Sequence, residues 1–124
     1  LAWMRRTSAD FTNTFRALAS GRLLTHSEDV DGDLQAWHDR LEARHARQPQ
    51  SPAEARALMR RHNPAFIPRN HKVEEALLAA AAGDGTSMAR LLPVVAAPYH
   101  HHRDLPAFTA PGAGPRRYRT FCGT

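Results

Sequence analysis

The sequence predicts an all-α fold of four to six short helices, followed by a long irregular C-terminal tail. Three observations support this prediction. Apolar residues recur at helical spacing, residues that cap helices precede those runs, and no segment alternates strictly between apolar and polar residues as a half-buried strand does. We expect the helical part to cover residues 1–97 and the Pro/Gly-rich tail to cover residues 98–124.

The first helix is predicted to begin at Thr7 or Ser8, because Asp10 follows Thr7 by three residues in an acidic variant of the capping box. One apolar stripe then follows at helical spacing, formed by Phe11, Phe15 and Leu18. Gly21 is a suitable C-terminal stop. The chain also begins at Leu1, without Met, in residues with the character of a helix interior, and we expect a truncated N-terminus.

The second and third helices are separated by Pro49, which is expected to end the second. The second begins near Asp33, and its apolar face is formed by Leu34, Trp37 and Leu41. The third carries the clearest local signal: Ser51 caps, Pro52 occupies the first helical position, and Glu54 completes a capping box. Its inward residues are predicted to be Ala55, Leu58 and Met59.

Residues 63–69 contain two prolines and are predicted to form an extended connector that buries Phe66 and Ile67. Asn70 is a suitable cap for a fourth helix that ends at Gly83, with a buried stripe of Val73, Leu77, Ala80 and Ala81. A fifth helix is expected to begin at Thr86 or Ser87, with an apolar face of Met88, Leu91, Leu92 and Val95. Pro93 should kink or shorten it. Stretches of about 25 residues without helices or strands are rare in compact domains. We therefore expect the tail beyond Pro98 to pack along the surface of another part of the protein.

Composition limits the possible functions. Lys and Arg together number 17 against 12 Asp and Glu, which gives a net charge of +5. One interpretation of this positive charge is a protein that binds nucleic acid or a membrane surface. The other is a codon bias of the genome that places Arg where Lys would serve equally well. The sequence favours the second interpretation, because the arginines are scattered along the chain. A single cysteine cannot form an internal disulfide, and no apolar run approaches the roughly 18 residues that cross a bilayer. We expect a bacterial cytoplasmic protein with no membrane contact.

Cys122 is the candidate reactive residue. A thiol reacts as its thiolate, which nearby positive charge favours, and Arg116, Arg117 and Arg119 supply that charge. Residue chemistry leaves two interpretations open: a redox switch or resolving thiol, and an inert surface cysteine.

Other clusters are weaker candidates. Asp29, Asp31 and Asp33 resemble a calcium loop, but Leu34 and Arg40 stand where an EF-hand needs Gly and Glu, so a solvated loop is favoured. Three consecutive histidines, His100, His101 and His102, cannot all face one ion, and the only nearby carboxylate is Asp104. We therefore predict no metal site in this chain.

A further polar group surrounds the connector and consists of His62, Arg69, Asn70 and His71. These residues could contact phosphate. The favoured alternative is that Asn70 caps a helix and Arg69 pairs with a carboxylate such as Glu74 or Glu75. The chain contains no Gly-rich phosphate loop, no Asp-Phe-Gly and no catalytic-loop Asn with an Asp partner. We expect no catalytic or cofactor-binding residue in it.

Three stretches, residues 118–124 (YRTFCGT), 63–76 (NPAFIPRNHKVEEA) and 8–18 (SADFTNTFRAL), together resemble the C-terminal end of the selenoprotein O family. The resemblance implies a kinase-like (pseudokinase) fold and transfer of AMP from ATP, with Mg²⁺, to Ser, Thr or Tyr hydroxyls of proteins. The family's nucleotide-binding residues lie upstream, so none is assigned here. In the family the position of Cys122 carries cysteine or selenocysteine, which implies a disulfide to a cysteine nearer the active site.

The resemblance therefore implies a non-catalytic C-terminal piece of the larger lobe, whose partners are the missing N-terminal core and the parent's protein substrates. Its helices would pack on that core through the faces of Phe11, Trp37, Phe66 and Leu77. Two alternatives remain. One is a free-standing basic helical module that binds nucleic acid, which the lack of aromatic residues among the arginines disfavours. The other is a structural partner domain in which Cys122 has no role.

An apolar face made for a missing lobe is an association site. We predict that these 124 residues, expressed alone, are marginally stable or self-associate. Size-exclusion chromatography with light scattering, together with a thermal melt, measures both properties. A monodisperse monomer with a cooperative melt at high temperature contradicts the prediction.

Overall fold

A computed structural model of the chain describes residues 1–22 and 32–112. That part of the chain contains helices and no strand, which confirms the predicted all-α class. In chain order the helices are α1 Ala2–Thr7, α2 Phe11–Ala19, α3 Asp33–His45, α4 Pro52–His62, α5 Asn70–Ala81, α6 Thr86–Val95 and α7 Pro106–Thr109. The five longest, α2 to α6, correspond to the predicted helices, while α1 and the single turn α7 are additional. None of the helices in these two ranges is long and apolar enough to span a membrane.

The first predicted cap is wrong, because Thr7 ends a helix instead of starting one. The Thr7 hydroxyl donates to the Trp3 carbonyl oxygen at 3.0 Å, and Ser8 then adopts a left-handed conformation with φ 54° that stops α1. Asp10 is the actual N-cap of α2: its carboxylate accepts from the Asn13 backbone N–H at 2.8 Å. The same residues are compatible with a capping box that starts at Thr7 and with a simple N-cap at Asp10. The position at which α1 ends decides between these two caps.

The capping box of α4 is confirmed. The Glu54 N–H donates to the Ser51 hydroxyl oxygen at 3.3 Å, and the Ser51 N–H donates to the Glu54 carboxylate at 2.8 Å. At its other end α4 supports α2, because the Arg60 guanidinium donates to the Ala19 carbonyl oxygen at 3.1 Å. One cationic side chain thus binds the C-terminal carbonyl end of α2, where positive charge is favourable.

The connector between α4 and α5 buries Phe66 as predicted, whereas Ile67 is only half-buried. Phe66 is the largest fully buried side chain, and Ala65 and Val94 complete its cluster. The Ala65 and Phe66 N–H groups both donate to the Pro98 carbonyl oxygen, at 2.8 and 3.1 Å, which joins the connector to the segment after α6. Leu105 and Phe108 pack against the cluster from the tail side.

The predicted face of α5 is wrong. Helices α5 and α6 share the most extensive contact of any two helices in the described ranges, and Ala76, a small side chain, is the buried residue of α5. Leu77 is 56% exposed, and Leu78 also points outward. Helix α6 continues past Pro93 to Val95, with Leu91 and Val94 inward and Leu92 exposed. Close approach of two helices requires small residues at the contact, so the larger leucines are displaced to the outside.

Asn70 does not cap α5. Arg69 is the N-cap, in an extended conformation, and Asn70 is the first helical residue. The Arg69 carbonyl oxygen accepts from the N–H groups of Lys72 and Val73 at 2.9 and 3.0 Å, so the helical hydrogen bonds start one residue earlier than predicted. This leaves the Arg69 side chain directed away from the helix.

We predict that Phe66→Ala lowers the free energy of unfolding by about 3–5 kcal/mol, because it leaves a cavity at the centre of the only cluster of buried apolar residues in the described ranges. Leu78→Ala removes a side chain that is 68% exposed and is expected to change it by less than about 0.5 kcal/mol. Urea unfolding followed by circular dichroism, at one protein concentration, compares the two. Equal losses would mean that Phe66 is not the centre of the core.

Candidate functional site

The residues with the strongest predicted chemistry lie outside the part that the structure describes. Cys122 and its three arginines, Arg116, Arg117 and Arg119, fall in residues 113–124. Asp29 and Asp31 fall in residues 23–31. The redox role of Cys122 therefore stays a prediction. Of the three aspartates considered and rejected as a calcium loop only Asp33 is described, and its carboxylate accepts from Arg6 at 2.7 Å on the surface.

The structure instead brings together a buried polar junction that the sequence did not reveal. Arg69 binds Asp10 through two hydrogen bonds: Nη1 donates to Oδ2 at 2.6 Å, and Nη2 donates to Oδ1 at 2.9 Å. The two side chains are only 10% and 19% exposed. Planar guanidinium and carboxylate groups match in this geometry, which makes it one of the stronger polar contacts in proteins.

The junction also holds the end of α7. The Thr109 carbonyl oxygen accepts from Arg69 Nη2 at 2.8 Å and from Asn13 Nδ2 at 3.0 Å. Asp10 in turn caps α2 through the Asn13 N–H. Three segments that are far apart in the sequence, the start of α2, the start of α5 and the end of α7, thus meet at one charged pair. We call these four residues the Asp10–Arg69 junction.

The protonation state of Asp10 is fixed by its surroundings. Burial raises the pKa of its carboxyl, but the hydrogen bond from Arg69, the hydrogen bond from the Asn13 N–H and the Arg69 charge together outweigh burial. The pKa of Asp10 therefore lies below the ordinary value of 3.8, and the group is ionised at neutral pH. Because three donors occupy its oxygens, the carboxylate is placed to hold structure together.

Arg69 was predicted to pair with a carboxylate such as Glu74 or Glu75; it does pair with a carboxylate, but with neither of these two. Glu75 accepts from Lys72 at 2.6 Å on the surface of α5, so it is engaged elsewhere. Arg69 pairs with Asp10, 59 residues away in sequence. A phosphate at Arg69 would compete with the hydrogen bonds that its terminal nitrogens make to Asp10 and Thr109.

A second contact links the same parts of the chain. The Arg16 guanidinium lies over the Phe66 ring, 5.2 Å from its centroid, and donates to the Arg103 carbonyl oxygen at 3.2 Å. A cation above an aromatic face is attracted by the ring quadrupole. Residues 8–18 and 63–76, two of the stretches that carry the family resemblance, therefore meet twice in space, at Asp10–Arg69 and at Arg16–Phe66.

His101 is a structural residue in the described fold. Its Nε2 lies 3.0 Å from the carbonyl oxygens of both Arg60 and Asn63, and two acceptors require that this nitrogen carries the proton. Nδ1 is buried and has no hydrogen-bond partner within residues 1–22 and 32–112. The imidazole thus holds the C-terminal end of α4 through Nε2.

The residues that the structure describes include no group of three or more His, Cys, Asp or Glu side chains that could hold a metal ion. Two open pockets of about 420 and 550 Å³ flank His101. Arginines that border them, Arg16, Arg60 and Arg103, already donate to backbone carbonyl oxygens.

The comparisons with known proteins cover the whole chain. It is 43% identical over 126 aligned residues to the protein nucleotidyltransferase YdiU of Syntrophotalea carbinolica, a match that spans 100% of this chain and 26% of the relative. The YdiU proteins of Halalkalibacterium halodurans and Alcanivorax borkumensis are 45% and 42% identical, over 98% and 100% of this chain and 25% and 26% of those proteins.

The chain belongs to the YdiU family. It spans about a quarter of the length of the curated YdiU relatives that it matches. No family model matches the chain, and no solved structure does so either. The predicted resemblance to the selenoprotein O family, whose bacterial members include YdiU, is thereby confirmed.

We predict that Asp10→Asn lowers the free energy of unfolding by about 3 kcal/mol, because it leaves the buried Arg69 charge unpaired. Asp33→Asn is the matched control: it breaks an exposed ion pair and should cost less than about 1 kcal/mol. Urea unfolding measures both variants, and a loss for Asp10→Asn no larger than that for Asp33→Asn contradicts the junction's role.

The same pair predicts a pH dependence. Since folding lowers the pKa of Asp10, the unfolded chain binds a proton more readily, and the stabilisation is fully present above the ordinary value of 3.8. It is lost as the pH falls below that value towards the lowered pKa. The difference in unfolding free energy between the unsubstituted chain and Asp10→Asn should therefore shrink through this acid range. A constant difference would contradict the assignment.

Proposed function

We propose that this chain is the C-terminal, non-catalytic part of a parent protein that transfers AMP from ATP to Ser, Thr or Tyr hydroxyls of other proteins. The observation that carries the proposal is the match of 40–45% identity over 98–100% of the chain to proteins named protein nucleotidyltransferase. Because the match covers about a quarter of those proteins, the residues that hold ATP and Mg²⁺ are assigned to the remaining three quarters.

The hydrogen bonds of the described helices favour a structural role over a catalytic one. Asp10 and Arg69 bind each other, and Arg69 and His101 also bind backbone carbonyl oxygens. A catalytic group needs a free donor or acceptor within reach of the substrate. The chain's described polar groups are instead used to join helices, so we assign to this segment the role of a buttress for the kinase-like lobe of the parent.

The junction also has a consequence for the tail. Thr109 is held at the Asp10–Arg69 junction, and Cys122 follows it by 13 residues. A fully extended chain of that length spans at most roughly 45 Å. We propose that the tail delivers the Cys122 thiol from this anchor towards the active-site region, where it forms a reversible disulfide with a cysteine of the parent outside residues 1–121.

The alternative of a free-standing nucleic-acid-binding module receives less support. Several arginines are engaged within the chain: Arg6, Arg16, Arg60, Arg69 and Arg103 all donate to carboxylate or carbonyl oxygens. A phosphate-binding face needs cations that are available to the backbone of the nucleic acid. A gel-shift assay of the chain alone with RNA or DNA tests this alternative. Binding at physiological salt that falls steeply as the salt concentration rises would favour the nucleic-acid-binding module over the proposed non-catalytic segment.

The activity is tested on the full-length parent with labelled ATP, Mg²⁺ and a bacterial protein extract. We expect transfer of AMP to proteins, visible as labelled bands that are hydroxyl-linked. Transfer of the γ-phosphate instead, or no transfer by a folded parent, contradicts the proposed reaction.

The role of Cys122 is tested with Cys122→Ser in the same parent. Oxidised glutathione accepts two electrons and two protons as a thiol pair closes, so it should change the transfer rate of the unsubstituted parent several-fold and leave Cys122→Ser unaffected. Equal rates for both proteins under reducing and oxidising conditions would favour a purely structural domain.

A further inference from the structure

A cleft between α1, α2 and α3 is lined mainly by apolar side chains that leave it unfilled. Its volume is about 510 Å³. Apolar and aromatic side chains form most of its lining: Trp3, Met4, Phe15, Leu18, Leu34 and Trp37. We call it the α1–α3 cleft.

The cleft is open on one side. Trp37 is 41% exposed, and Leu1, at the mouth, is 82% exposed. Protein interiors are close-packed, and voids larger than a water molecule are few. An aromatic-lined cavity of this size is therefore a surface that is completed by another group of atoms.

The polar groups of the cleft favour a polypeptide occupant over a small molecule. A small-molecule site carries a few polar groups that converge on the ligand. Here the Thr14 hydroxyl donates to the Asp10 carbonyl oxygen at 2.7 Å, and Asp33 accepts from Arg6. Arg40 is the remaining charged group of the lining, and it lies exposed on α3.

The length of the relatives indicates which polypeptide it is. The matched YdiU proteins are about four times as long as this chain. A segment of the same polypeptide is present at an effective concentration that a separate partner rarely reaches. The rest of the parent is therefore the occupant with the greatest advantage.

We propose that the α1–α3 cleft receives an apolar segment of the parent's remaining three quarters, with Trp3 and Trp37 as the anchoring residues and Arg40 as a partner for a carboxylate on that segment. The inference rests on the buttress part of the proposed function and names the face through which it acts. Aromatic anchors in a desolvated pocket carry much of the binding energy of an interface, with cations at the rim.

Site-specific photo-cross-linking in the full-length parent tests this contact. Benzoylphenylalanine replaces Trp37, an aromatic side chain for an aromatic side chain. The control places it at Gln35, on the opposite side of α3, where the side chain donates to Asp39 and faces solvent. After irradiation, mass spectrometry identifies the cross-linked peptides.

We expect position 37 to cross-link to a peptide of the parent outside these 124 residues, several-fold more than position 35 does. Should the variant at Trp37 be insoluble, the same group at Ala36, which also lines the cleft, replaces it. Cross-links confined to residues 23–31 or 113–124, a cross-link between two copies, or equal yields at positions 35 and 37 each overturn the proposal.

The readout is independent of catalysis. AMP transfer is measured separately on the unsubstituted parent. A cross-link to the parent core without AMP transfer would uphold the docking face and refute the reaction. Transfer without such a cross-link would uphold the reaction and refute the docking face.

Discussion

The charged pair between Asp10 and Arg69 is the contact on which the arrangement of the described helices depends. It joins residues 59 positions apart, caps α2 through the same carboxylate, and holds the end of α7 through the Thr109 carbonyl oxygen. Closing such long loops costs conformational entropy that a single exposed ion pair does not offset. The Asp10–Arg69 pair can offset this entropy because it is largely buried, makes two direct hydrogen bonds and is extended by Asn13. Removing either charge would leave the other buried without a partner, at the full cost of its desolvation.

A small apolar core makes this polar contact more important. The buried apolar residues of the described ranges are Ala17, Ala19, Leu34, Ala65, Phe66, Ala76, Leu91 and Val94, and half of them are alanines. Alanine buries little area, and stabilisation scales roughly with the apolar area removed from water. Meanwhile Phe11, Trp37, Leu77 and Leu78 remain exposed. A chain that covers a quarter of its relatives and keeps its larger apolar groups outside has the surface expected of one part of a larger core.

The proposed division of labour follows from these contacts. Helices α2, α4, α5 and α6 hold the connector around Phe66, and the Asp10–Arg69 junction fixes where the tail departs. The aromatic residues of the α1–α3 cleft would form the proposed contact with the parent. The buttress and the delivery of Cys122 would thus use two different parts of one helical segment.

The sequence by itself determined the helical class, the approximate positions of α2 to α6, the capping box at Ser51, the buried connector at Phe66 and the family. These features depend on neighbours within a few residues, or on stretches of residues that match the family directly. Only the tertiary structure decided that Asp10 caps α2 and binds Arg69, that α5 turns Ala76 inward and Leu77 outward, and that His101 holds the end of α4. Each of these choices depends on a partner dozens of residues away, and a local pattern of charges or apolar residues is compatible with several such partners until the packing selects one.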